Sequence, residues 1–147
     1  GDEPIVNPLD IKSILEYNVK YPNRVAFGKS RANFQEFSDY SKAKVVCSLS
    51  GRLLYSSRAG IPMNNKGDYV SAERAIWIYA FNKKNLKKYF DTTNKRKLEH
   101  LEDNEIIGFL EIDVPVYCID MIGDSWAVDE KKDIEIVENI LKERNLV

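Results

Sequence analysis

Two acidic side chains stand where a protein could hold a divalent metal ion. Asp2 lies in the opening Gly-Asp-Glu-Pro segment, and a strand ending before Pro4 would place its carboxylate at the carboxyl edge of a sheet. Asp129 follows the short apolar run at residues 126–128, at the start of a helical pattern. Mg²⁺ favours carboxylates together with phosphates and water, so both residues are candidate ligands. The alternatives are that Asp129 is a helix N-cap and that Asp2 belongs to a frayed terminus.

Other catalytic motifs are absent from the sequence. The Gly-Lys-Ser at residues 28–30 matches the end of a phosphate-binding loop, but Asn23 occupies the position of the required glycine. His100 is the only histidine, which excludes a metal site built from several imidazoles. No Gly-x-Ser-x-Gly turn supports a Ser/His/Asp triad. Cys47 and Cys118 lie in separate apolar runs without a Cys-x-x-Cys motif, which predicts buried free thiols in a reducing compartment.

Composition limits the class of protein. The 147 residues carry 22 basic and 23 acidic side chains, a formal charge of −1. This length suits a single domain, residues 1–147, and the charge argues against nucleic acid or an anionic membrane as the main partner. The longest apolar run, residues 75–81, is far shorter than the roughly 20 residues of a membrane span. The opening residues lack the pattern of a secretory signal, so we expect a cytoplasmic protein.

Helices are predicted from capping residues and apolar periodicity. Asn7-Pro8 opens a helix that extends to Tyr21, and its predicted inward face contains Leu9, Ile11, Ile14, Leu15 and Val19. Further helices are expected at residues 82–90, 104–111 and 129–145. The last of these has an apolar stripe made of Ile134, Val137 and Leu141.

Apolar runs predict the strands. Residues 24–27 form a short candidate closed by Gly28, residues 114–119 form another, and the continuous run at 75–81 indicates a central strand. Residues 43–49 and 52–56 flank a Ser-Gly turn and predict a hairpin. The pattern is typical of an α/β fold in which helices flank a mostly parallel sheet with an antiparallel hairpin insert. Residues 58–74 have no period, and so long a loop is usually functional or mobile.

Five segments occur in the order found in one enzyme family. They are Gly-Asp-Glu-Pro at 1–4 with the Pro-Leu-Asp-Ile helix after it, Tyr-Ser-Ser-Arg-Ala-Gly-Ile-Pro at 55–62, Ile-Trp-Ile-Tyr-Ala-Phe at 76–81, Leu-Glu-His-Leu-Glu at 98–102, and Ser-Trp-Ala-Val-Asp at 125–129. Together they resemble the CMP-sugar synthetases, especially the 3-deoxy-manno-octulosonate (Kdo) cytidylyltransferases. The resemblance implies transfer of CMP from CTP to an acidic sugar with release of pyrophosphate.

The resemblance also implies roles for individual residues. Asp2 and Asp129 would be the Mg²⁺ ligands, and Arg58 would meet the carboxylate of the sugar acid, unless it is a solvated loop cation. Tyr79 would line the sugar pocket or be a plain core aromatic. Glu102 and Glu105 would accept hydrogen bonds from sugar hydroxyls or lie on a solvated helix face.

Departures from the family pattern concern the sugar and the CTP-binding part. Ala75 and Ile106 replace a family histidine and glutamine, and Glu130-Lys131 replaces Thr-Pro, which leaves open an amino-substituted Kdo or another nonulosonic acid. The basic loop that holds the triphosphate has no counterpart, so we expect the C-terminal part of a cytidylyltransferase, inactive alone, that forms a homodimer. Two alternatives are a non-catalytic dimerising module and an acylneuraminate-type synthetase.

Overall fold

A computed structural model describes residues 3–122, 125–128 and 130–145. Helices and strands alternate along much of this length. In chain order they are α1 (Pro8–Lys20), β1 (Val25–Ala32), α2 (Phe34–Ser38), β2 (Lys44–Cys47), β3 (Leu53–Ser57), β4 (Ala72–Ala80), α3 (Lys83–Asp91), a 3-10 turn (Thr93–Lys95), α4 (Leu98–Glu102), α5 (Glu105–Glu111), β5 (Val116–Asp120) and α6 (Lys131–Glu143). None of the helices described here is long and apolar enough to cross a membrane.

The strands form one mixed sheet in the order β3-β2-β4-β1-β5, flanked by helices. This confirms the α/β class but corrects the expectation of a mostly parallel sheet. Within the described strands, β1 and β5 run parallel, whereas β4 runs antiparallel to both β1 and β2. A continuous apolar run indicates that a strand is central, and β4 is central, but such a run carries no information about strand direction.

Strand β1 is longer than the sequence pattern predicts. The prediction ended it at Gly28, whereas the strand continues to Ala32 with a register shift between Phe27 and Gly28. A Cβ atom at residue 28 would lie 2.8 Å from the carbonyl oxygen of Ile76. Gly28 therefore permits a close approach between β1 and β4 rather than ending the strand.

The predicted hairpin is confirmed, and its tip reaches the far side of the sheet. β2 and β3 pair antiparallel, from Lys44 opposite Ser57 to Cys47 opposite Leu53. At the tip, Gly51 has a φ of 82°, a conformation that glycine adopts without strain. The carbonyl oxygen of Gly51 accepts a hydrogen bond from the main-chain N–H of Cys118 at 2.8 Å. The hairpin thus curls over the core and ends against β5.

The core lies under the helices that follow β4. Its buried side chains come from every strand and from α5, among them Phe27, Val45, Leu53, Ala75, Ile107 and Val116. The rings of Tyr89 and Phe109 stack at 4.6 Å and join α3 to α5. Helix α5, predicted at residues 104–111, faces this core with Ile106 and Ile107.

Most residues of the predicted inward face of α1 are exposed. Asn7 caps the helix as predicted, and Ile14 is buried. However, Leu9, Leu15 and Val19 are 57%, 53% and 80% exposed. Apolar periodicity predicts that a face is covered, but it does not say by what. Among the predicted stripe residues of α6, Val137 is buried and Ile134 is exposed.

Candidate functional site

Two of the predicted sugar-binding residues meet where β3 ends beside α4. The Glu102 carboxylate accepts hydrogen bonds from the Ser57 hydroxyl at 2.8 and 3.0 Å and from the Tyr55 hydroxyl at 3.2 Å. It also accepts one from the main-chain N–H of Arg58 at 3.1 Å. The proximity of Glu102 contributes to a raised pKa of Tyr55, for which burial is the larger cause. One carboxylate therefore binds three residues in and directly after the end of β3.

The guanidinium of Arg58 points into the same cluster. Its Nε donates to the carbonyl oxygen of Glu102 at 3.0 Å, and Nη1 donates to the carbonyl oxygen of Ser41 at 3.1 Å. Nη2 donates to the carbonyl oxygen of Asp103 at 2.8 Å and forms an ion pair with the exposed carboxylate of Asp103 at 3.3 Å. The planar group thus joins the chain at residues 40–41 to the end of α4, with the Asp103 ion pair at the surface.

Lys44 supports this cluster and was not singled out from the sequence. The side chain is fully buried. Its ammonium donates to the carbonyl oxygens of Asp39 at 2.8 Å, Lys42 at 2.5 Å and Arg58 at 2.6 Å. Burial lowers the pKa of Lys44. The available signal was a lysine inside an apolar strand sequence, because lysine is almost never fully buried without such partners.

Tyr79 and Glu105 lie on other parts of the surface. Tyr79 is exposed on β4, and its ring packs near Phe81 and Phe27, with centroids 5.9 and 6.2 Å apart. Glu105 is the exposed first residue of α5. It lies close enough to Tyr89 to add to the raised pKa of that phenol, for which burial and a 2.7 Å hydrogen bond to Glu99 are larger causes.

The segments that carry the predicted metal ligands lie side by side. The Ser125 hydroxyl donates to the carboxylate of Glu3, the residue after Asp2. The main-chain N–H of Ile122 donates to the Asp10 carboxylate at 2.7 Å, and Asp10 is buried. Arg144 Nη1 donates to the carbonyl oxygen of Ile5 at 3.2 Å. Three contacts therefore join the N-terminal segment to the chain around residues 122–128 and to α6.

An ion pair between Arg74 and Glu36 lies next to this region, near the carboxyl end of β1. Arg74 is buried, forms an ion pair with Glu36 at 2.8 Å, and donates to the carbonyl oxygen of Ser125 at 3.1 Å. Open α/β sheets bind ligands at such an edge. Arg74 lies within β4, directly before the apolar run at residues 75–81, and a charged residue next to such a run is the sequence signal for this buried ion pair.

The start of α6 bears on the alternative interpretation of Asp129. The N-cap of α6 is Glu130, which forms a capping box with Asp133. The Asp133 carboxylate also accepts a hydrogen bond from Trp126 Nε1 at 3.2 Å. Glu130 therefore has the capping role at the start of α6.

Asp2 and Asp129 themselves lie outside the described residues. Within the described part of the chain, no group of three or more histidine, cysteine, aspartate or glutamate side chains could hold a metal ion. Two carboxylates nevertheless suit Mg²⁺, which usually keeps several waters and binds through one or two carboxylates and substrate phosphates.

Comparisons with known proteins place the chain in a family. A family profile described as Cytidylyltransferase matches residues 1–116. A 3-deoxy-manno-octulosonate cytidylyltransferase of Koribacter versatilis is 31% identical over 147 residues, which are 99% of this chain and 55% of that protein. An 8-amino-3,8-dideoxy-manno-octulosonate cytidylyltransferase of Shewanella piezotolerans is 29% identical over 94% of this chain and 57% of its own length.

The fold agrees with a solved structure of CMP:2-keto-3-deoxy-manno-octonic acid synthetase complexed with CTP. The TM-score is 0.86 at 22% sequence identity, over 97% of this chain and 59% of that one. The chain thus spans little more than half the length of the proteins it matches. On the profile match, which covers most of its residues, the chain belongs to the cytidylyltransferase family.

Proposed function

We propose that this chain is the metal- and sugar-binding part of an enzyme that transfers CMP from CTP to a Kdo-like sugar acid. The observation that carries the proposal is the contact between Glu3 and Ser125, since it joins the segment after Asp2 to the segment before Asp129. Relatives named as Kdo cytidylyltransferases that align with nearly the whole chain support the same activity.

The two aspartates would have the central role in this activity. Asp2 and Asp129 would hold Mg²⁺, which when bound offsets the charge of the triphosphate and orients its α-phosphate. Asp10 and Glu3 would help to position these aspartates, because they bind Ile122 and Ser125. The anomeric hydroxyl of the sugar would attack the α-phosphate, form the new P–O bond and release pyrophosphate. Most of the rate would come from positioning and electrostatics.

Arg58 would recognise the carboxylate of the sugar. Its ion pair with Asp103 lies at the surface, and Asp103 is 92% exposed at its side chain. Exchanging one surface carboxylate for another costs little, because such pairs contribute at most about 1 kcal/mol. Lys44 and Glu102 would keep the Arg58 backbone in place during this exchange. Tyr79 and Glu105 are assigned no sugar contact, because they lie on other parts of the surface than Arg58.

The identity of the sugar acid is the finer part of the proposal. Ala75 and Ile106 stand where the family pattern has a histidine and a glutamine. Relatives named for Kdo and for its 8-amino form both match the chain at about the same identity. A substrate panel of Kdo, 8-amino-Kdo and an acylneuraminate would identify the sugar through the ratio of kcat/KM values.

The proposed activity is testable with a fusion protein. The chain is joined to the portion of the Koribacter versatilis relative that the match does not cover, and pyrophosphate release is measured with CTP, Kdo and Mg²⁺. We expect turnover by the fusion, none by the chain alone, and none by a matched fusion carrying Asp129→Asn. A folded fusion without turnover on any sugar of the panel would contradict the proposal.

A second candidate is a module that dimerises without catalysis, and the exposed side of α1 favours it. Lys12 and Glu16 form an ion pair at 3.7 Å beside the exposed Leu15. An antiparallel two-fold pairing of α1 would place Lys12 near the partner's Glu16, so the surface is self-complementary in charge. Light scattering would measure the mass of the wild-type chain and of the Leu15→Lys variant. We expect the wild type to be a dimer and the variant a monomer. A monomeric wild type would reject this candidate.

A further inference from the structure

The two cysteines, far apart in the sequence, lie together at one end of the core. Cys47 ends β2 and Cys118 lies in β5, and both are free. Cys118 is buried in the main core cluster, and Cys47 packs against that cluster while keeping partial exposure. The hairpin tip brings them together, since Cys118 donates its main-chain N–H to Gly51 and Arg52 bridges to Tyr117.

The two thiols have different chemical character. A hydrogen bond from the Cys118 thiol lowers the pKa of Cys47, and the same bond, together with burial, raises the pKa of Cys118. The ammonium of Lys29 lowers the pKa of both thiols, whereas Glu73 raises both. Lys29 forms ion pairs with Glu73 and, at 2.8 Å, with Asp120, so these charges largely compensate one another. Cys47 is therefore the thiol that more readily becomes a nucleophilic thiolate.

Cys47 is also the less buried of the two cysteines. It lines an open cavity of about 590 Å³, together with Arg31, Pro62, Tyr69 and Glu73. A hydroperoxide is much smaller than this space. A lowered pKa, access and an adjacent second thiol are the features of cysteines that form a sulfenic acid and then a disulfide.

We propose that Cys47 and Cys118 form an oxidation-sensitive dithiol that a hydroperoxide converts into an intramolecular disulfide. The Cys47 thiolate attacks one peroxide oxygen, the O–O bond breaks, and the leaving oxygen takes a proton to give an alcohol or water. The Cys118 sulfur then attacks the sulfur of the Cys47 sulfenic acid, the S–O bond breaks, and the proton of Cys118 leaves with the hydroxyl as water. The two thiols are oxidised by two electrons and the peroxide is reduced.

The proposed bond requires the two sulfurs to approach each other. An S–S bond is only about 2.05 Å long, shorter than any contact between two thiols. The hairpin tip next to Cys47 is exposed to solvent at Leu49 and Ser50. The dithiol is independent of the proposed transferase activity, because none of the proposed site residues takes part in it.

The test treats the reduced chain with hydrogen peroxide in slight excess. We expect the loss of both free thiols, a mass decrease of about 2 Da, and a peptide that links residue 47 to residue 118, all reversed by dithiothreitol. Retention of both thiols, or a disulfide between two chains in place of the internal one, would overturn the proposal.

Two matched variants separate the roles of the thiols. Cys118→Ser should leave a sulfenic acid on Cys47, trapped by dimedone, because no second thiol is present to displace water. Cys47→Ser should leave Cys118 reduced at the same peroxide concentration, because that thiol is buried and its pKa is raised. Equal oxidation of Cys118 in the Cys47→Ser variant would show that Cys47 is not the attacking group and would overturn the mechanism.

Discussion

The surroundings of Glu102 and those of residues 122–128 are built in opposite ways. Around Glu102, one carboxylate collects donors from the neighbouring residues Tyr55, Ser57 and Arg58. Around residues 122–128, carboxylates from separate parts of the chain hold one segment, with Asp10 bound to Ile122 and Glu3 bound to Ser125. The first region is a scaffold in which a single carboxylate of α4 collects donors from one short segment, and the second is a junction in which two carboxylates each bind one residue.

This difference indicates what each region contributes. Substitutions in the scaffold should lower the free energy of unfolding, because buried donors would lose their acceptor. Substitutions at the junction should cost less stability but disturb the relative position of the segments that carry Asp2 and Asp129. A small displacement at a catalytic centre can lower the rate by orders of magnitude.

The largest loss of stability is expected at Glu102. Glu102→Ala leaves two hydroxyls and one main-chain N–H without their acceptor, so we expect the free energy of unfolding to fall by about 3 kcal/mol. Urea unfolding of the chain measures this. Glu105→Ala, an exposed glutamate nearby in the sequence, serves as the control and should change stability by at most about 0.5 kcal/mol. Equal losses in the two variants would remove the distinction between scaffold and surface.

The next largest loss is expected at Lys44. Lys44→Met keeps the apolar stem but leaves the carbonyl oxygens of Asp39, Lys42 and Arg58 without the ammonium. We expect a loss of about 2 kcal/mol in urea unfolding. Lys12→Met changes an exposed lysine of α1 and should have an effect within about 0.5 kcal/mol. A stable Lys44→Met protein would mean that the ammonium is not needed to hold the Arg58 backbone.

At the junction, Asp10→Ala should affect activity more than stability. It removes the acceptor of the Ile122 N–H, for an expected cost of about 1 kcal/mol. In the active fusion, turnover should fall by roughly tenfold or more, because residues 122–128 are no longer held against the N-terminal segment. Glu16→Ala, on the exposed side of the same helix, is the matched control. Unchanged turnover in Asp10→Ala would argue against a functional junction.

The smallest effect concerns acid stability at Glu111, outside both regions. Burial raises the pKa of Glu111, but the main-chain N–H groups of Leu98, Glu99 and Lys97 outweigh it and lower the pKa overall. Since the folded-state pKa lies below the unfolded value of about 4.3, the carboxylate stabilises the fold above that value. The contribution is lost as the pH falls through the folded-state pKa.

Unfolding at a series of acidic pH values tests this effect. Below about pH 4.3, the free energy of unfolding should fall less steeply in Glu111→Gln than in the wild type. The difference should be less than about 1 kcal/mol, because the carboxylate is partly exposed and screened by solvent. An identical pH dependence in the two proteins would show that the hydrogen bonds to the start of α4 do not depend on the charge of Glu111.

Local signals in the sequence predicted much of the fold. Asn7-Pro8 marked the start of α1, and the Ser-Gly pair at 50–51 marked the hairpin, because caps and tight turns are determined by a few adjacent residues. The direction of β4 and the extent of β1 were not predictable in this way. Both depend on pairing with strands remote in the sequence, such as the close approach at Gly28.

The candidate site was predictable only in part for the same reason. Motif resemblance selected Arg58 and Glu102, and the structure brings these residues together. It did not select Lys44, Arg74 or Asp10, whose importance comes from burial beside main-chain groups of other segments. The proximity of Cys47 to Cys118 likewise depends on the hairpin tip, which binds β5 through the hydrogen bond between Gly51 and Cys118, and no local pattern encodes it.

A double-mutant cycle on metal binding tests most directly whether Asp2 and Asp129 share one ion. Mg²⁺ is titrated calorimetrically into the fusion with CTP present, for the wild type, Asp2→Asn, Asp129→Asn and the double variant. If both carboxylates hold the same ion, each single change should weaken Mg²⁺ binding by roughly tenfold or more. The loss of binding free energy in the double variant should then differ clearly from the sum of the two single losses. Independent, additive effects, or no effect of either change, would contradict a shared metal site.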